Sequence, residues 1–183
     1  MAIYTKLNHQ NIQLLANDYD LKIIEFSPLD GGSGNSSYLL KDEINSYVLT
    51  VCDDKRLEEV TKLGQLLLLL KSYNVPCNRL IKTVNGEILT TYTISKSIKP
   101  VILKYFIEGQ VVKKLNESML IQVGRKVAQL NKIPSPDYLP KNHPYGRHFF
   151  SKALGLAIDN EYESWLSEEI VYLDNKIIPN LPC

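Results

Sequence analysis

The chain is short of several things that would narrow its role. Its 183 residues hold three cysteines, Cys52, Cys77 and Cys183, with no Cys-x-x-Cys spacing. So sparse and odd a set argues against a disulfide framework or a zinc site and points to a reducing compartment. Neither sign of charge dominates: 21 basic against 20 acidic residues leave +1, and no Lys/Arg-rich block occurs. Nucleic acid and anionic membrane surfaces therefore lose their electrostatic case. The longest apolar run, Leu66 to Leu70, is far too short to span a bilayer. The opening Met1-Ala-Ile-Tyr-Thr lacks the basic stretch and apolar core of a signal peptide. Internal repeats and low-complexity tracts are missing too. The expectation is a cytoplasmic protein whose partners include neither nucleic acid nor membrane.

What is present is an ordinary globular composition, 44% apolar and 22% charged, enough for one domain or for one lobe plus part of another. The chain is organised around Phe26 to Leu40. There a strand-like run breaks into Gly31, Gly32, Ser33, Gly34, Asn35, Ser36 and Ser37, then resumes as Tyr38-Leu-Leu40. Glycine tolerates positive φ and close backbone approach, so such a turn can drape its N–H groups over phosphates. The same residues also suit an ordinary hairpin turn. Both readings stand on this segment alone.

In chain order, Asn8 is a cap for a first helix ending near Asp18, with Ile12, Leu14 and Leu15 apolar. Tyr19 to Leu29, Tyr38 to Leu40 and Tyr47 to Val51 read as three antiparallel strands. Leu57 to Tyr73 is a long helix, with Glu58 and Glu59 at its positive end and Lys71 at its negative end. Its leucine-rich second half suggests burial on two sides. Arg79–Val84 and Glu87–Tyr92 flank Asn85-Gly86, a hairpin signal. Pro100 to Ile107 is a further strand, ended by Glu108-Gly109. Asn116 to Lys132 has helical spacing in Leu120, Val123, Val127 and Leu130. Four prolines make residues 133–146 a loop, and helices are expected over Phe149–Ile158 and Tyr162–Ile178. The whole is an α+β pattern, an antiparallel sheet plus a long helix followed by a helical region. That is the order of a kinase-like small lobe, with residues 1–107 as the lobe and 108–183 as a hinge and the first helices of a second, incomplete lobe.

Several pieces now fall into line: Met1-Ala-Ile-Tyr-Thr5, Tyr19-Asp-Leu21, Gly34-Asn-Ser-Ser-Tyr38, Tyr47-Val-Leu-Thr-Val51 with Lys55-Arg56, Val75-Pro-Cys77 and Phe106-Ile-Glu-Gly109. In this order and spacing the chain resembles the aminoglycoside phosphotransferase and choline kinase superfamily, and within it the homoserine kinase type. The resemblance runs from the start to about residue 132. It implies transfer of the γ-phosphoryl group of ATP, with Mg2+, to the hydroxyl of a small amino alcohol, as in threonine biosynthesis. By position, Gly31, Gly32, Ser33, Gly34, Asn35 and Ser36 would cover the phosphates. Lys104, Tyr105, Phe106, Ile107 and Glu108 would meet the base at the hinge, and Thr50 would lie on the floor of the site.

Two departures follow. Thr50 stands where most kinase-like proteins place a lysine on the α- and β-phosphates, which leaves the phosphate cation unassigned among Lys41, Lys55 and Arg56. Each of these also reads as a solvated surface charge. Glu58 or Glu59 would pair with such a cation, or would simply complement the helix dipole. The second departure concerns the catalytic segment, a His-Gly-Asp-type run followed by Asn and a metal-binding Asp. None of His9, His143 and His148 precedes a Gly-Asp or x-Asp pair, so no catalytic residue and no metal ligand is assigned. The chain is expected to be the N-terminal part of a longer enzyme, inactive as it stands and prone to self-association through apolar surface on Tyr162 to Cys183. The alternatives are a non-catalytic nucleotide- or partner-binding module built on the small lobe, and a fragment of an aminoglycoside- or choline-type kinase.

Overall fold

The computed structural model describes residues 5–30, 34–94, 97–139, 149, 152–153, 155, 162–177 and 179. The chain divides into two compact units, Met1–Ser135 and Pro136–Cys183. In the first, helix α1 (His9–Asn17) starts at Asn8, whose side chain accepts from Asn11 N at 2.9 Å while Asn11 Oδ1 accepts from Asn8 N at 3.1 Å. This reciprocal cap satisfies two otherwise orphaned groups. Asn8→Ala is expected to cost about 1 kcal/mol in urea denaturation.

Strands β1 (Glu25–Leu29), β2 (Ser36–Lys41) and β3 (Ser46–Val51) form an antiparallel meander, and helix α2 (Leu57–Ser72) follows. Then come β4 (Leu80–Ile81), β5 (Thr90–Ile94) and the long β6 (Ser97–Tyr105). The sheet order is β1-β2-β3-β6-β4, with β5 also on β6. Period-two alternation sorts β2, β3 and β6 onto two faces. Tyr38, Leu40, Tyr47, Leu49, Val51, Val101 and Leu103 pack with Ile12, Leu15 and Ala16 of α1. Cys52 and Ile102, with Leu80, pack with Val60 of α2 on the other face. The architecture is α+β, as the pattern of elements predicts.

Three local expectations need correction. The first strand begins at Glu25, not Tyr19. Asp20 has a positive φ of 55°, and Tyr19 N and Leu21 N both donate to Ala16 O, so this stretch wraps the end of α1 and buries Tyr19 and Ile23. The Asn85-Gly86 turn forms, with Gly86 at φ 80° and its N–H on Thr83 O. Beyond one backbone bond, Thr83 N to Glu87 O at 3.0 Å, its flanking strands form no ladder with each other: β4 and β5 take successive stretches of one edge of β6. Ile88 and Leu89 leave the ladder to pack against the α2 cluster, and that burial overrides the hairpin signal. Finally, α2 buries only Val60 and Gly64. Leu66 to Leu70 are half-buried, and of these only Leu67 and Leu68 pack against the cluster. The helix therefore lies on the sheet by one side.

Helix α3 (Glu117–Leu130) is capped by Asn116, whose Oδ1 accepts from Met119 N at 2.9 Å. In the second unit, α4 (Glu163–Tyr172) runs into a π-helical turn, Leu173–Ile177. The helix expected over Phe149–Ile158 falls largely outside the described residues. No helix among the described residues is long and apolar enough to cross a membrane.

Candidate functional site

The face of the sheet that carries α2 is only partly covered. Register places Ser37, Leu39, Val48, Thr50, Ile102 and Lys104 side by side on it, through the pairs Ser37↔Thr50, Leu39↔Val48, Thr50↔Ile102 and Val48↔Lys104. α2 closes the Ile102 end, while Leu39, Val48 and Lys104 stay half-buried. A cavity of about 210 Å³ opens there, lined by Val48, Asn78, Lys104, Tyr105, Phe106 and Ile107.

The rim of this cavity is where β6 ends. Tyr105 N donates to Arg79 O at 3.0 Å and Phe106 N to Ser46 O at 2.9 Å, while Tyr105 turns its ring toward Tyr47, centroids 5.7 Å apart. Beyond that the ladder stops. The N–H groups of Ile107 and Glu108 have no hydrogen-bond partner among the described residues. An apolar-floored cavity beside unpaired backbone donors suits the edge of a flat heteroaromatic ring.

At the far end of β2 lies the glycine turn. Gly31, Gly32 and Ser33 fall outside the described residues. A Cβ on Gly34 would come within 2.5 Å of Asp54 Oδ2, so this glycine admits the Asp54 carboxylate against the turn. Asn35 Oδ1 is buried without a partner. Rotating that amide would offer its N–H2 donors instead, the polarity a phosphate oxygen needs. Ser36 is buried and tied down: its Oγ donates to Asp53 Oδ2 at 2.6 Å and accepts from Thr5 N at 2.8 Å. Asp53 also accepts the Thr5 hydroxyl and holds Lys99 through its backbone carbonyl. Next along, Tyr38 OH donates to Thr5 O at 2.7 Å and accepts from Leu7 N at 2.9 Å. The residues following the turn are thus clamped to the N-terminal segment. Thr5 and Tyr38 stand in stretches that carry the resemblance and Asp53 in none, and nothing in the spacing of the three announced the clamp.

Thr50 is buried, with its Oγ1 3.3 Å from Ser37 Oγ. The three surface cations weighed as phosphate contacts are already engaged: Lys41 with Glu25 at 2.9 Å, Lys55 with Asp54 at 3.5 Å, Arg56 with Glu59 at 3.7 Å. Glu59 also caps α2 by accepting from Arg56 N, and Glu58 pairs with Lys62 at 2.6 Å. Both acids therefore serve the helix start. Lys104 differs. It has neither hydrogen bond nor ion pair among the described residues, and its burial pulls the ammonium pKa down. Behind it the Cys52 thiol is pushed up to about 11 by its own burial. His9 packs beside Phe26, ring centroids 6.0 Å apart, and His143 and His148 lie outside the described residues. Among the described residues no three His, Cys, Asp or Glu side chains converge as a metal site would require.

A twisted antiparallel sheet with one helix across its face, a glycine turn at one end of that face and a strand running out into an unpaired segment at the other is the kinase-like fold. Solved phosphotransferases share it. Spectinomycin phosphotransferase in complex with ADP and spectinomycin superposes with a TM-score of 0.61 at 17% identity, over 90% of this chain and 54% of that one. Amicoumacin kinase with AMP-PNP and Ca2+ gives 0.61 at 15% identity, over 97% and 55%. A microcompartment-associated aminopropanol kinase gives 0.57 at 17%, over 73% and 44%. By sequence the chain is similar to homoserine kinases: 29% identical over 133 residues to that of Caulobacter vibrioides and 24% over 133 residues to that of Parvibaculum lavamentivorans. These matches cover 72% of this chain and 41% and 40% of those proteins, so it spans about two fifths of their length. No family model matches.

Proposed function

We propose that this chain is the nucleotide-binding part of an ATP-dependent phosphotransferase that acts on a small-molecule hydroxyl, with homoserine as the acceptor. The observation that carries this reading is the end of β6: free N–H groups at Ile107 and Glu108 on the rim of a cavity floored by Val48, within a kinase-like sheet. The acceptor rests on likeness to homoserine kinases over the same stretch. In this reading the hinge N–H groups take the base edge, Val48 packs under the ring, and the turn from Gly31 to Ser36 lies over the phosphates. ATP supplies the activated γ-phosphoryl group. Its transfer breaks the bond to the β-phosphate and forms one to the acceptor oxygen, whose proton must go to a base. No His-x-Asp segment is present to supply that base, and with no converging acids described, these residues are given no metal-holding role. The sparse cysteines, with Cys52 and Cys77 free, fit a cytoplasmic setting.

The expected behaviour of the 183-residue chain is binding without turnover. ADP should raise its melting temperature and bind with a measurable heat in calorimetry. Phosphoryl transfer to homoserine should be undetectable beside ordinary turnover of about 1–10³ per second. An absence of any ADP effect would remove the nucleotide reading, and turnover in that range would remove the claim of inactivity.

A further inference from the structure

We propose that Lys104 supplies the cation that neutralises the nucleotide's α- and β-phosphates, from β6, the strand beside the one that carries Thr50. The inference rests on the nucleotide reading above and assigns the phosphate contact within it. Thr50 cannot make that contact, because it is uncharged, buried and paired with Ser37. Lys104 shares its face: Thr50 pairs with Ile102, and Lys104 is the next residue of β6 on that side. The ammonium also acts electrostatically on the Cys52 thiol, which lies beyond Thr50 along the chain. Lys104 itself is opposite Val48 and lines the base cavity, and Thr50 is the next position on that face, so the step from Lys104 to Thr50 leads away from the hinge. That direction runs from the base cavity toward the glycine turn, as the phosphate chain of a hinge-bound nucleotide must.

The electrostatics point the same way. A partly buried ammonium with no acceptor is costly, and an anionic ligand would relieve that cost. Of the other cations near the site, four are already committed, and Lys6, which lines the cavity beside the glycine turn, is exposed and so carries no cost of burial. Lys41, Lys55 and Arg56 face carboxylates at the surface, and Lys99 is bonded to Asp53 O. No carboxylate pairs with Lys104 among the described residues. The chemistry called for is a di- or triphosphate attached to a flat base.

The test compares ADP with adenosine, titrated calorimetrically without added metal into the wild type, Lys104→Met and Lys55→Ala. The wild type should bind ADP about tenfold or more tightly than adenosine, the scale of a charge-assisted contact. K104M should lose most of that preference, its ADP affinity falling by more than its adenosine affinity, and K55A should retain the preference. A circular dichroism spectrum matching that of the wild type reports that the variant is folded, and K104Q gives the same comparison should K104M aggregate. If K104M keeps the wild-type preference, whatever its melting temperature, or if K55A loses it, Lys104 is not the phosphate cation and the nucleotide reading survives. If the wild type binds neither adenosine nor ADP, both fall together.

Discussion

Asp53→Ala is expected to destabilise the sheet unit by about 2–4 kcal/mol, since hydrogen bonds to a charged group contribute about 1.5–3 kcal/mol each and these two share a partner. The Asp53 carboxylate accepts from Thr5 and from Ser36, whose side chains lie in residues only 4% and 5% exposed. Removing it leaves two buried hydroxyls facing an apolar methyl. The isosteric Asp53→Asn keeps one acceptor oxygen and should cost roughly half as much. The loss should also be local. Ser36 immediately precedes Ser37 and Tyr38, and Tyr38 holds Thr5 and Leu7, so amide exchange at Leu7 should speed up before the rest of the sheet opens. Urea denaturation of both variants, with exchange at single residues, checks this. A D53A melt equal to the wild type would mean that the clamp contributes nothing. Because the clamp fixes the chain right after the glycine turn, D53A should also weaken ADP binding more than adenosine binding.

Gly64→Ala is expected to destabilise the protein although alanine is the better helix former. Glycine inside a helix costs about 1 kcal/mol relative to alanine, so on propensity alone the change would stabilise. An added Cβ, however, would lie 2.1 Å from Ile88 Cγ2 and 3.6 Å from Leu80 Cδ2. Ile88 is branched at Cβ and stiff about χ1, so that methyl cannot swing away without leaving its rotamer. Overpacking of this kind costs about 1–3 kcal/mol, and this overlap belongs at or above the upper end. A net loss of about 2 kcal/mol follows. Combining G64A with Ile88→Ala should return much of it, because the second change removes the clashing methyl. That positive coupling in a double-mutant cycle separates a steric notch from a general intolerance of α2 to substitution. An increase in stability for G64A alone would show that α2 sits farther from the sheet than described.

Much of this was legible along the chain because its causes are local. α2 starts at Leu57, next to the two acids that favour a helix start, and ends where Asn74 takes a positive φ of 55° before Val75-Pro76. The end of β6 falls just before Phe106-Ile-Glu-Gly109, and Asn116 caps α3 as its type and place suggest. The Asn85-Gly86 dipeptide predicted the turn correctly and the pairing wrongly. Turn geometry depends on the two residues themselves, whereas pairing depends on where Ile88 can be buried, and the notch at Gly64 lies more than twenty residues away in sequence.

The residues given to the site divide in the same way. The end of β6 and the glycine turn could be placed by composition and order, since a backbone that must bend or end shows itself in Gly, Asn and Ser. Which side chains serve them could not. Lys104 could be named only as a hinge neighbour; the strand register put it on Thr50's face, and the pairing of Lys41, Lys55 and Arg56 with nearby acids set it apart. Asp53 was one of two adjacent acids with nothing to choose between them until Ser36 and Thr5 were brought to its carboxylate. By itself the sequence determined most of the elements, their α+β order and the place of a glycine turn, because propensity, capping and periodicity act over a few residues. Only the tertiary structure decided which of the cations near the site face carboxylates and which is partly buried without one, because a charge's role depends on the partners and solvent that long-range packing assigns to it.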